Sequence, residues 1–135
     1  MGKKKMYKKW EKVEGSETII HGCEKVFRIK CIKPFGNVLL GQEGGVVGER
    51  VTLWDDAWVE YNSMCLGKSV IVGYATIKGK SWVTDTKMWG ESIIKDALVN
   101  KCVLMGTSII EKSSIKGLKF VDGTIKNIIM NGVYK

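Results

Sequence analysis

The chain has 135 residues, of which 44% are apolar and 27% charged, with one proline against sixteen glycines. This composition excludes collagen-like, Pro-rich and disordered chains, and no stretch approaches the ~20 consecutive apolar residues of a membrane span. The formal charge of +8 is concentrated at the start: residues 1–12 hold Lys3, Lys4, Lys5, Lys8, Lys9 and Lys12 against Glu11 alone, and the remainder is close to balanced.

The basic start has no apolar core behind it, so it does not read as a signal peptide, and an intracellular, cytoplasmic protein is expected. Six lysines in twelve residues repel one another and stay extended unless an anion neutralises them. They read either as a solvated tail or as an arm for phosphates, with Tyr7 and Trp10 available to stack on bases. After this tail (1–12), Glu17-Thr18-Ile19-Ile20 and Val26-Phe27-Arg28-Ile29-Lys30-Cys31-Ile32 read as a hairpin turning near Gly22, within an N-terminal cap over 13–40. Arg28, Lys30 and Lys33 add positive charge there, as does Arg50 further on.

From the forties onward the chain repeats. A small residue and an aliphatic one recur two apart: Ala57 and Val59, Ser63 and Cys65, Ser69 and Ile71, Ala75 and Ile77, Ser81 and Val83. These pairs step by six. The series continues as Thr86 and Met88, Ser92 and Ile94, Ala97 and Val99, Cys102 and Leu104, Ser108 and Ile110, Ser113 and Ile115, with steps alternating between five and six. Gly45 with Val47 and Val51 with Leu53 extend it backwards. A helix requires spacings of three and four; a separation of two is strand alternation. Each unit is therefore one very short strand followed by a glycine-assisted corner. Such strands can wind as a coil in which small and aliphatic residues point inward and each rung hydrogen-bonds to its neighbours. The expected fold is all-β: a short parallel β-helix over 41–117, flanked by the N-terminal hairpin and by C-terminal strands over 118–135, with Asp122-Gly123 and Asn131-Gly132 marking turns. Six-residue steps favour a three-sided, left-handed coil of hexapeptide type. The five-residue steps resemble pentapeptide repeats, which form four-sided right-handed coils. Three units per turn give roughly four turns and a rod about 20 Å long.

The residue between each inward pair faces outward, and these are strongly apolar. Every third one assembles a flat side from Trp58, Thr76, Ile93 and Ile109, and another from Met64, Trp82 and Leu98. Such walls require cover, either from the chain's own ends or from another subunit. A homo-oligomer is expected, with Trp58, Met64, Trp82, Ile93, Leu98 and Ile109 at subunit or partner interfaces.

Catalytic chemistry finds little support. His21 is the single histidine and lies outside the coil, where it reads as a turn residue rather than a general base. A zinc site needs more ligands than one histidine and four dispersed cysteines (Cys23, Cys31, Cys65, Cys102) supply, so no metal or other cofactor is expected. The cysteines read as reduced. Gly67-Lys68-Ser69 and Gly79-Lys80-Ser81 only mimic phosphate loops, since no helix follows. Asp55, Asp56, Glu60, Asp85, Glu91 and Asp96 read as solvated corner residues, and the register buries the serines.

The segments Val26-Phe27-Arg28-Ile29-Lys30-Cys31-Ile32-Lys33-Pro34-Phe35-Gly36-Asn37-Val38, Gly41-Gln42-Glu43-Gly44-Gly45-Val46-Val47 and Ala57-Trp58-Val59 resemble the opening of a bacterial and phage group of hexapeptide-like single-stranded β-helix proteins, whose x-A-x-V-x-G repeats follow a similar start. The similarity covers about residues 25–117. It departs in using Ser or Cys for many alanines and in its five-residue steps. The resemblance implies the coil and a phage or prophage setting, and no reaction. The expected function is a non-catalytic binding or inhibitor protein. It would act on a host protein or nucleoprotein complex in nucleic-acid-guided or nucleotide-signalling defence, with nucleic acid or nucleotide held by Lys3, Lys4, Lys5, Lys8, Lys9, Arg28, Lys30 and Lys33, and with no membrane contact. A hexapeptide-type acyl- or nucleotidyltransferase is the alternative, and a structural scaffold or virion component the third.

Overall fold

Alternation that restarts at every corner gives strands of two or three residues, too short to stand alone and stable only when stacked. The computed structural model describes residues 9–20, 24–127 and 129–130. Among these residues there are strands and no helix, and so no helix long and apolar enough to cross a membrane.

The chain opens with β1 (Trp10–Lys12), β2 (Thr18–Ile20) and β3 (Glu24–Cys31). β2 and β3 are antiparallel, Thr18 opposite Val26, as the hairpin reading expects; the turn itself, with His21, Gly22 and Cys23, lies outside the described residues. β1 lies against the other end of β3, Trp10 opposite Cys31. The basic tail therefore ends sooner than the composition suggests. Trp10 is buried and stacks on Phe27, and its indole N–H donates to the Leu53 carbonyl at 2.7 Å. A buried aromatic with a polar tip is held in place by the acceptor its N–H reaches.

β3 hands over antiparallel to β4 (Glu43–Gly48), from which all further pairing is parallel. The first turn comprises β4, β5 (Thr52–Leu53) and β6 (Trp58–Val59), and the second β7 (Met64–Leu66), β8 (Val70–Ile71) and β9 (Thr76–Lys78). The third comprises β10 (Trp82–Thr84), β11 (Lys87–Met88) and β12 (Ile93–Lys95), and the fourth β13 (Leu98–Leu104) and β14 (Ile109–Glu111). β15 (Ser114–Val121) and β16 (Thr124–Lys126) make a fifth turn, and β17 (Ile129–Met130) begins another. The coil is three-sided, as six-residue steps imply. β13 and β15 are long because each bends around a corner and serves two walls.

The coil also runs further than 117. β15, β16 and β17 pair parallel with β13, β14 and β15. The segment expected as separate C-terminal strands thus continues the winding, and five strands stand on the third wall where about four turns were expected. The Asp122-Gly123 step is a corner of the coil; Asn131-Gly132 lies outside the described residues.

Every inward pair from Ala57–Val59 to Ser113–Ile115 is buried, and Cys65, Ile71, Ile77, Val83, Met88, Ile94, Leu104 and Ile110 form the sealed axis of the coil. Among the described residues the buried hydroxyls are all satisfied. Ser81 Oγ donates to the Lys78 carbonyl at 2.8 Å and accepts the Ala97 N–H of the next turn at 3.1 Å. Ser63 and Ser69 likewise accept the N–H groups of Ser81 and Thr86. A serine at the first inward position therefore stitches one turn to the next, a bond that alanine there cannot make.

Candidate functional site

Three outer walls result. The first carries Met64, Trp82, Leu98 and Ser114 in one column, the third carries Trp58, Thr76, Ile93 and Ile109, and both agree with the every-third-residue reading. Their accessibility differs. On the first wall Trp82 is 39% and Leu98 54% exposed, and the two are directly opposite in register. Around them Thr84, Asn100, Ser114 and Lys116 border a shallow groove of about 290 Å³. Met64 beside them is half-buried, as are Ile93 and Ile109 on the third wall.

Trp58 corrects the interface expectation. It is 3% exposed, because on the first turn its indole lies within reach of the N-terminal segment. Phe35 meets it edge-on at 5.7 Å, and Gly44 lies so close that a Cβ there would stand 2.7 Å from Cζ2. Of the two coverings the sequence allows, the chain's own start covers Trp58.

Among the described residues, the basic side chains expected to hold an anion do not gather into one patch. Lys3, Lys4, Lys5 and Lys8 lie outside the described residues. Lys9 is not a free tail lysine: it pairs with Asp56 and lies 5.2 Å from the Phe35 ring centre. Arg28 stacks 3.8 Å over Tyr61 and donates to the carbonyls of Gly44 and Tyr61, so its guanidinium fastens β3 and β4 to the third corner. Lys30 stands 3.6 Å from Glu11. Lys9 and Lys33 do share a cleft of about 490 Å³, but Asp55 and Asp56 line it too, with Gly73 and Tyr74. Two cations facing two carboxylates leave no excess charge to attract a polyanion.

The corner carboxylates have work that the sequence reading did not assign. Asp85 and Asp96 accept the backbone N–H groups of Lys68 and Lys80 at 2.9 and 3.0 Å. Glu60 accepts from Gly79, and Glu24 from Gly67. Cys31, Cys65 and Cys102 are free thiols, all buried. Burial pushes the Cys65 thiol up to about 12, with the Glu24 charge adding to it against a hydrogen bond from Ser69; a thiol so shielded is not a nucleophile at neutral pH. Among the described residues no group of His, Cys, Asp and Glu is placed to hold a metal ion.

The second wall is a surface the sequence reading passed over. Beside Val70, Lys87 and Val103 runs a further outward column of Val72, Trp89 and Met105, with Trp89 39% exposed. The missed signal was simple: in each short strand the residue two beyond the first outward one also faces out.

No known protein family matches the chain, and no curated protein matches it.

Proposed function

We propose that the chain is a non-catalytic binding protein, a stiff three-walled peg that lays its first wall against a partner protein. The observation that carries this reading is the Trp82–Leu98 pair. A large aromatic and a leucine stand side by side in register on a flat, rigid surface, beside a groove with polar edges at Thr84, Asn100 and Lys116. A central apolar anchor with a polar rim is the pattern of protein-binding surfaces. The buried thiols and committed carboxylates support a role without catalysis. In the phage setting that the resemblance implies, the proposed partner is a host defence factor that handles nucleic acid or signalling nucleotides. Lys3, Lys4, Lys5 and Lys8 then add phosphate contacts beside the main protein interface, and oligomers multiply them.

The test is affinity capture from bacterial host lysate with and without nuclease, comparing the native chain with Leu98→Asp and with a deletion of residues 2–8. One nuclease-resistant protein partner lost in Leu98→Asp is the expected result. A partner that survives Leu98→Asp overturns the first wall as the docking site. An unchanged salt dependence in the deletion removes the arm from the proposal. Loss of phenotype in His21→Ala would favour the transferase alternative instead.

A further inference from the structure

The second wall carries its own complement. Across the second, third and fourth turns its outer surface shows two columns: Val70, Lys87, Val103, and, two residues along each strand, Val72, Trp89, Met105. Lys87 is the only charge among these six, and it is exposed between two half-buried valines. A lone cation in an apolar strip is costly to bury unless something receives it.

We propose that a second copy of this chain covers the second wall, related by a two-fold axis parallel to the coil. This operation exchanges the two columns and keeps every turn level with its equivalent. Val70 then meets the second copy's Val72, Val103 meets its Met105, and Lys87 lies on its Trp89. A cation over an indole answers the one charge of this three-turn strip. The other face-to-face two-fold, perpendicular to the coil, gives no such match: depending on register, it sets Lys87 against Val70, against itself or against Val103. An isologous interface requires each patch to complement itself, and the parallel arrangement meets that requirement.

The contact is small. Three rungs about 4.8 Å apart and three residues about 3.3 Å apart along each strand give a strip of roughly 14 by 10 Å on each copy. This falls well short of a standard interface of about 1,200 Å² in total, so the dimer is weak and reversible. It takes up the oligomeric part of the reading above but is tested on the purified chain alone, so its failure leaves partner docking on the first wall untouched.

Sedimentation equilibrium of the full chain from about 5 to 500 µM is expected to show monomer and dimer in exchange. Trp89→Ala and Lys87→Glu are each expected to weaken the dimer about tenfold or more, while Lys87→Arg, which keeps the cation over the ring, stays within about threefold. Circular dichroism confirms that each variant is folded. Mixing the single variants Val70→Cys and Val72→Cys under mild oxidation is expected to give a disulfide-linked dimer more readily than either alone. A monomer at all concentrations overturns the proposal. So does a dimer indifferent to Trp89→Ala and Lys87→Glu, or one that Leu98→Asp abolishes instead.

Discussion

The carboxylate of Asp85 accepts the backbone N–H of Lys68, 2.9 Å away on the preceding turn. The contact explains how the coil shortens without losing register. The second and third turns stand 18 residues apart at Ser63 and Ser81, whereas Ser81 and Ala97 stand 16 apart. At the first corner the second turn uses Gly67 and Lys68, and the third uses Asp85 alone, at φ 48°. One backbone acceptor is thereby lost, and the aspartate side chain replaces it. Gly67 leaves the space, since a Cβ there would lie 2.3 Å from Asp85 Oδ1. Asp96 repeats the device beneath Lys80 and Gly79.

Asp85→Ala therefore removes an acceptor and puts a Cβ-bearing residue with no local hydrogen bond into a left-handed conformation. A loss of about 1–2 kcal/mol in urea unfolding is expected. Asp85→Asn keeps both the acceptor and the tolerance of positive φ, and should stay within about 0.5 kcal/mol of the native chain. Equal losses in the two variants would show that the carboxylate plays no such part.

Gly90 and Gly106 occupy successive turns of the second corner with similar backbone, φ 73° and 63°. A Cβ on Gly90 would stand 2.7 Å from the Gly106 carbonyl oxygen, whereas one on Gly106 meets nothing within 4 Å. Gly106→Ala is expected to cost only the conformational penalty, about 1–2 kcal/mol. Gly90→Ala adds a backbone clash and should cost roughly 2–4 kcal/mol. The comparison of urea midpoints separates steric from conformational cost, and the reverse order would contradict the stacking.

Cys65 makes stability depend on alkaline pH. Its folded thiol titrates at about 12 against a reference of 9.0, chiefly through burial. Below pH 9 both folded and unfolded chains hold the proton, and the full stability is present. As pH rises from 9 towards 12 the unfolded chain releases the proton and the folded one keeps it, so stability falls. Cys65→Ala removes this contribution. Its urea midpoint should lie below that of the native chain at pH 7, where the smaller side chain loses packing, and the gap should narrow between pH 9 and 10.5. Parallel pH profiles would show that Cys65 does not titrate in this way.

The sequence by itself determined the coil. Ser81, Val83, Thr86 and Met88 alternate with outward residues at a step no helix can hold, and the burial of each follows from that spacing. The membership of the first and third walls followed as well, because a step of about six residues around three sides brings Met64, Trp82 and Leu98 into one line. Local alternation is a property of the chain, and it survives whatever packs around it. Only the tertiary structure decided which walls stay open, and how the shortened corners keep their hydrogen bonds. Trp58 and Leu98 occupy equivalent outward positions, yet one is sealed by Phe35 and the other lies bare. Lys9 and Arg28 read as free cations and are instead fastened to Asp56 and Tyr61. These outcomes depend on contacts between residues far apart in the chain, where a segment of no fixed period meets a periodic one, and spacing carries no record of such meetings.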